Sequence, residues 1–160
     1  MSEVEQHLAG KAALAAALDP VAQALVGVDL TDPQAARAIV CERLPLGSEP
    51  LTALRAAAET GAAEGWLLSR EAGGIRFGRA AKDLHGFSVD AVLMAGPGPR
   101  HRHPKGEIDL CFTQRGEARF DGEPEGWVVY GPDSVHVPTV RDGEMLILYF
   151  LPGGAIEFLG

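Results

Sequence analysis

The first 65 residues contain no aromatic side chain: both tryptophans, both tyrosines and all six phenylalanines fall at or after Trp66. That absence divides the chain into an Ala- and Leu-rich part, residues 1–65, and an aromatic-bearing part, residues 66–160. Cysteine is scarce as well. Cys41 and Cys111 alone exclude the disulfide framework of a small secreted domain, and they lack the spacing of a zinc knuckle or a redox Cys-x-x-Cys pair, so both are expected as free thiols. Basic residues are outnumbered, 14 Lys and Arg against 22 Asp and Glu for a formal charge of −8, which excludes a general nucleic-acid or anionic-membrane surface. No apolar run approaches the roughly 20 residues that span a bilayer, and the opening Met1-Ser-Glu-Val-Glu has no basic segment leading into an apolar one. The expectation is a cytoplasmic protein with no membrane partner. With 46% hydrophobic and 22% charged residues, the composition is that of an ordinary globular domain with one core.

In the first part the apolar spacing is helical. Asp19-Pro20, Asp32-Pro33 and Ser48-Glu-Pro50 each set a capping side chain just ahead of an early proline, a helix-start signal. Val4, Leu8, Leu14 and Leu18 form one apolar stripe, Ala36, Ile39, Val40 and Leu44 another, and Leu51, Leu54 and Ala58 a third. These helices are expected to cover the rest of the protein or a second subunit.

From Trp66 onward the rhythm changes to short β-rich runs separated by turn residues. The expected strands are Trp66–Glu71, Ile75–Arg79, Phe87–Met94, Glu107–Thr113, Ala118–Asp121, Trp127–Tyr130, His136–Val140, Met145–Leu151 and Ala155–Phe158. Gly73-Gly74, Gly122 and Asp142-Gly143 are hairpin signals, because such turns need positive φ. The fold class is therefore mainly β with an α-helical N-terminal part, and strands of this number and length suit a double-stranded β-barrel of jelly-roll type.

The segment from Gly96 to Asp109, which reads GPGPRHRHPKGEID, concentrates the chemistry. On extended chain His101 and His103 point one way and Arg102 the other. After the Pro104-Lys105-Gly106 turn, Glu107 opens a new strand facing the same side. Two imidazoles and a carboxylate on one face suit a divalent transition metal. His136, delivered by the Gly131-Pro-Asp-Ser turn, is the natural fourth ligand. The metal-ligand set is thus His101, His103, Glu107 and His136, with Zn, Fe, Mn or Ni as the candidate ion or a metal-free pocket of the same shape. Glu107, His101 and His136 are the candidate catalytic groups.

The pattern His-x-His, three residues, Glu, then a Gly/Pro turn ending in His resembles the paired motifs of the cupins. The interval from Glu107 to Gly116 is longer, and that from Pro132 to His136 shorter, than the common form; the ligand positions survive both departures. More narrowly, the helical first third followed by the segments 101–109 and 131–140 resembles the 4-hydroxylaminobenzoate lyase family. That resemblance implies conversion of 4-hydroxylaminobenzoate to 3,4-dihydroxybenzoate (protocatechuate) and ammonia in nitroaromatic degradation, with a small aromatic acid as substrate. A homo-oligomer, a dimer, is the expected assembly. The alternatives are another metal-dependent cupin enzyme, a dioxygenase or isomerase, and a non-enzymatic ligand-binding cupin, the last disfavoured by the lack of a basic recognition helix.

Cationic partners for a substrate carboxylate are abundant: Arg70, Arg76, Arg79, Arg100, Arg102, Arg115 and Arg119 all lie on or beside expected strands. Parity counts against Arg102 and sets Arg76 and Arg79 on opposite sides. Asp109 and Cys111 share the parity of Glu107, and Asp109 is expected to orient a ligand histidine. His7 and His85 are expected to lie outside the site. For Trp127, Tyr130, Tyr149 and Phe150, core packing is the first expectation.

Overall fold

The computed structural model describes residues 1–160. Three helices, α1 (Glu3–Leu25), α2 (Pro33–Arg43) and α3 (Glu49–Glu64), precede nine strands: β1 (Arg70–Ala72), β2 (Ile75–Leu84), β3 (Phe87–Met94), β4 (His101–His103), β5 (Glu107–Phe120), β6 (Gly126–Tyr130), β7 (Ser134–His136), β8 (Val140–Pro152) and β9 (Glu157–Phe158). A six-stranded sheet in the order β1-β2-β3-β8-β5-β6 faces a three-stranded sheet in the order β7-β4-β9. All the strand pairings are antiparallel. This is the cupin-like jelly roll that the strand pattern predicts.

The helices form where their apolar residues fall in line. Leu14, Leu18, Val21, Ala22 and Leu25 are buried on one side of α1, whereas Val4 and Leu8, placed in the same stripe by sequence, are exposed. Asp19-Pro20 does not start a helix, because Pro20 lies inside α1. The carbonyl of Ala16 that loses its partner there belongs to an exposed residue, where solvent is able to satisfy it. Asp32 caps α2 by accepting from the Ala35 amide at 3.2 Å. Ser48 stands at the N-cap of α3 but its side chain makes no capping bond. Of the second stripe, Ile39 faces out while Ala36, Val40 and Leu44 are buried; the third stripe is buried throughout.

Four strand expectations need correction. Residues 66–69 are not a strand: the Trp66 ring lies over Gly10 and Gly61 between α1 and α3, and Leu67 crosses β2 so closely that a Cβ on Gly78 would meet its carbonyl at 2.1 Å. The two segments 107–113 and 118–121 join into one bent strand, β5, with register shifts against β8 between Thr113 and Arg115 and between Gly116 and Arg119. Asp142-Gly143 is consequently an irregularity within β8 instead of a hairpin; Gly143 has no room for a side chain, since its Cβ would lie 2.0 Å from the Arg115 carbonyl. Residues 136–140 are divided between the end of β7 and the start of β8.

Two cores flank the large sheet. Leu110, Leu148, Trp127, Phe112 and Phe150 face the helices in one apolar cluster that includes all three helices. The Trp127 indole N–H donates to the Leu44 carbonyl at 2.9 Å, fastening the cover to β6. The opposite face, with Met94, Cys111, Phe120, Val140 and Ile147, lines the barrel interior.

Candidate metal centre and cavity

Short β4 sits between β7 and β9, with His101 directly opposite His136 and His103 opposite Ser134. Gly106, at φ 88°, turns the chain from β4 into β5; a Cβ there would strike Leu30 and the Tyr130 carbonyl at 2.8 Å. Glu107 therefore enters β5 facing the two histidines. His101, His103 and Glu107 are buried and His136 is nearly so, and one ligand atom from each of the four lies within 4.8 Å of the others. That is close to the span of ligands bound at ~2.0–2.2 Å to one ion. The ring centroids of the three histidines are 4.6–4.7 Å apart.

The hydrogen bonds behind the rings determine what faces inward. His101 Nδ1 lies 3.0 Å from the Pro99 carbonyl, which only accepts. His136 Nδ1 lies 2.7 Å from the Asp121 carboxylate. His103 Nδ1 lies 2.9 Å from the Ser134 hydroxyl, which spends its own hydrogen on the Gly131 carbonyl at 2.6 Å. Each Nδ1 thus carries a proton, which leaves each Nε2 free to turn a lone pair toward an ion. His101 Nε2 and His136 Nε2 are 3.1 Å apart, a repulsive contact between two lone pairs unless a cation lies between or beside them. Glu107 approaches with its oxygens 3.0 Å from His103 Nε2, 3.7 Å from His101 Nε2 and 3.8 Å from His136 Nε2. Both of its oxygens and His103 Nε2 are buried without an aligned hydrogen bond. Three imidazole lone pairs and a carboxylate with unused acceptors fit a divalent transition metal.

Electrostatics agree with a site built for positive charge. Burial alone would push the Glu107 carboxyl up, but hydrogen bonds and positive charge from His101 and His103, when these rings carry the charge that an ion would otherwise supply, reverse this and hold it at about 2. Burial opposes charging His101, and the Glu107 carboxylate overcomes it, so the His101 value is raised. Asp109 behaves oppositely: burial, then the charge of Glu107, lift its carboxyl well above the ordinary value.

A cavity of about 860 Å³ opens over this cluster, with His101 and Glu107 at its base and Phe77, Met94, Tyr149 and Phe158 among its walls. Of the candidate arginines, Arg70 and Arg79 line it and the other five do not. Arg102 points away, paired with Asp133 and Glu157. His85 bonds to Asp19 on α1 at 2.8 Å, and His7 stays near Glu3 on α1. Trp127 and Phe150 belong to the helix-facing core, whereas Tyr130 stacks on His103 at 5.3 Å. Asp109 makes no bond to any histidine; its two oxygens are buried and unpartnered. The orienting role assigned to it falls to Asp121, which also accepts from the Tyr130 hydroxyl and from the Thr139 amide. Sequence reasoning missed Asp121, Ser134, Lys82 and Asp90. The Phe120-Asp-Gly turn marked Asp121 only as the end of a strand, and nothing in its spacing ties it to His136.

The family model described as "PnbB: 4-hydroxylaminobenzoate lyase" matches residues 21–158, a span that includes all four clustered residues. A relative from Nocardioides sp. (strain LMS-CY) named 4-hydroxylaminobenzoate lyase is 32% identical over 126 residues, covering 70% of this chain and 74% of its own. Another of the same name from Pseudomonas putida is 29% identical over 119 residues, covering 61% and 68%. Among solved structures, an RmlC-like cupin protein from Ralstonia eutropha JMP134 aligns over 57% of this chain and 64% of its own, with a TM-score of 0.42 and 15% identity.

Proposed function

This chain belongs to the 4-hydroxylaminobenzoate lyase family, and from that premise we propose that it converts 4-hydroxylaminobenzoate and water into 3,4-dihydroxybenzoate and ammonia, acting in the cytoplasm as a homo-oligomer. The observation that carries this reading is the convergence of three imidazoles and an ionised Glu107, with His101 and Glu107 at the base of a cavity large enough to admit an aromatic acid. The reaction needs a proton at the departing hydroxyl oxygen, water added to the ring carbon beside the nitrogen, and hydrolysis of the resulting imine. No outside oxidant is required, because the N–O bond is reduced as the ring is oxidised.

His101, His103, Glu107 and His136 would hold a divalent ion such as Zn, Fe, Mn or Ni, which would supply Lewis acidity toward a hydroxylamine or water oxygen. Glu107, ionised at the cavity base, takes a proton from the incoming water at a carboxylate oxygen and passes it to the departing hydroxyl, which leaves as water; the ring proton lost on rearomatisation returns through the same carboxylate during imine hydrolysis. The apolar walls exclude bulk water from the electron-poor intermediate. Asp121, Ser134 and the Pro99 carbonyl keep the rings turned so that Nε2, not Nδ1, meets the ligand.

Purified protein given 4-hydroxylaminobenzoate should release ammonia and a catechol in equal amounts, with metal content tracking the rate across preparations. Absence of ammonia from metal-replete protein, or formation of an aminophenol in place of the catechol, would overturn the reading.

A further inference from the structure

The register of the large sheet places a row of polar residues across the cavity face. Arg79 pairs with Asp90, Asp90 with Tyr149, and Tyr149 with Asp109. Directly paired residues share a face, and Asp109 shares the parity of Glu107. Arg79 and the Glu107 end of the face are therefore three strands apart, about 14 Å between backbones at ~4.8 Å per strand. Beside Arg79, Lys82 and Arg70 also line the cavity.

In a chain of net charge −8, this wall concentrates three cations against one carboxylate, Asp90. Arg79 donates from Nε to Asp90 Oδ1 at 2.5 Å, which sets the plane of the guanidinium and leaves both terminal nitrogens without a protein acceptor. Arg70 and Lys82 have no carboxylate within 4.0 Å. Across the sheet between this wall and Glu107 stand Tyr149 and Leu151, and Phe77, Val92 and Met94 line the cavity alongside them. The cavity is thus cationic at one end, apolar in the middle, and metal-binding at the other. That sequence of surfaces is complementary to a flat ring carrying a carboxylate at one end and a nitrogen–oxygen group at the other.

We infer that Arg79, held by Asp90 and flanked by Arg70 and Lys82, binds the carboxylate of an aryl acid and so aims its para substituent at His101 and Glu107. The inference rests on the lyase reading for the identity of the para group, but not for the carboxylate. Arg79 meets the carboxylate with its two terminal nitrogens, a planar match that lysine lacks. Asp90 is a positioning residue. Arg70 and Lys82 contribute charge without fixed geometry.

Calorimetric binding of two inert ligands, 4-hydroxybenzoate and 4-hydroxybenzamide, separates these roles without any turnover. Wild-type protein should prefer the acid. Arg79→Met should weaken acid binding about 10–100-fold, the scale of a charge-assisted pair, and leave the amide affinity unchanged. Arg79→Lys should recover only part of the loss. Asp90→Asn should weaken the acid alone, by less than Arg79→Met, and Lys82→Met should give a few-fold, salt-sensitive loss. Equal weakening of acid and amide, or a wild type indifferent to the carboxylate, would overturn the inference. Acid selectivity through Arg79 in a protein that releases no ammonia from 4-hydroxylaminobenzoate would keep this subsite and remove the lyase reading. Ammonia release with Arg79→Met binding the acid like wild type would do the reverse.

Discussion

Two neighbouring rows of the same sheet differ in almost every respect. One runs Gly78, Ala91, Leu148, Leu110 and Trp127 and lies against the helices; the next runs Arg79, Asp90, Tyr149, Asp109 and Val128 and lies in the barrel. A single residue step along each strand separates a closed apolar core from a cavity that holds buried carboxylates. The first row repays the entropy of folding through apolar burial. The second is costly to fold, since buried Asp109 has no partner and the imidazole lone pairs repel, and it persists because the first row supplies the stability. A one-residue slip of register would exchange the two faces, so the apolar row also fixes the geometry of the reactive one.

The largest expected separation between the faces comes from Glu107→Gln. Turnover measured as ammonia release should fall about 10²–10⁴-fold, while urea unfolding remains a single cooperative transition. Loss of that transition would mean that the two faces are not independent. On the other face, Phe150→Ala should destabilise the protein by about 3–5 kcal/mol, because Phe150 is fully buried between Phe87 and Trp127; protein that remains folded should retain its metal content. Asp121→Asn, which weakens the grip on His136 Nδ1, should lower metal affinity about 10–100-fold in a chelator competition with little change in stability. The smallest effect is expected of Asp109→Asn, which mimics the neutral acid. A carboxyl whose folded value is raised favours folding fully only below its unfolded value, here 3.8, and that contribution is lost as pH rises through the folded value. The unfolding midpoint of Asp109→Asn should therefore exceed that of wild type at pH 7, and the advantage should vanish below about pH 4.

Much of this arrangement was legible in the residue order because it depends on local periodicity. The parity of His101 and His103, the outward turn of Arg102 and the arrival of His136 from a Gly/Pro turn follow from an extended chain with a two-residue repeat. What escaped depends on which strands become neighbours. Asp121 reaches His136 only because β5 continues through Gln114 to Gly116, where Gln-Arg-Gly-Glu reads locally as a turn. The break foreseen at Pro20 fails for a related reason: packing of Val21, Ala22 and Leu25 in line with Leu14 and Leu18 outweighs one missing hydrogen bond on the exposed side. The choice of Arg79 among seven arginines needed the pairing with Asp90, which no spacing in the sequence encodes.

The backing of the three rings has a spectroscopic consequence. A proton held on Nδ1 by a carbonyl, a hydroxyl or a carboxylate, and shielded by burial, exchanges slowly with solvent. His101, His103 and His136 should each give a resolved imidazole N–H resonance far downfield in a proton spectrum, correlated to Nδ1 in an ¹⁵N-labelled sample. Titrating a diamagnetic ion such as Zn²⁺ should then move the Nε2 signals strongly while those protons stay attached to Nδ1, so that occupancy of the centre is read from resonance positions with no substrate present.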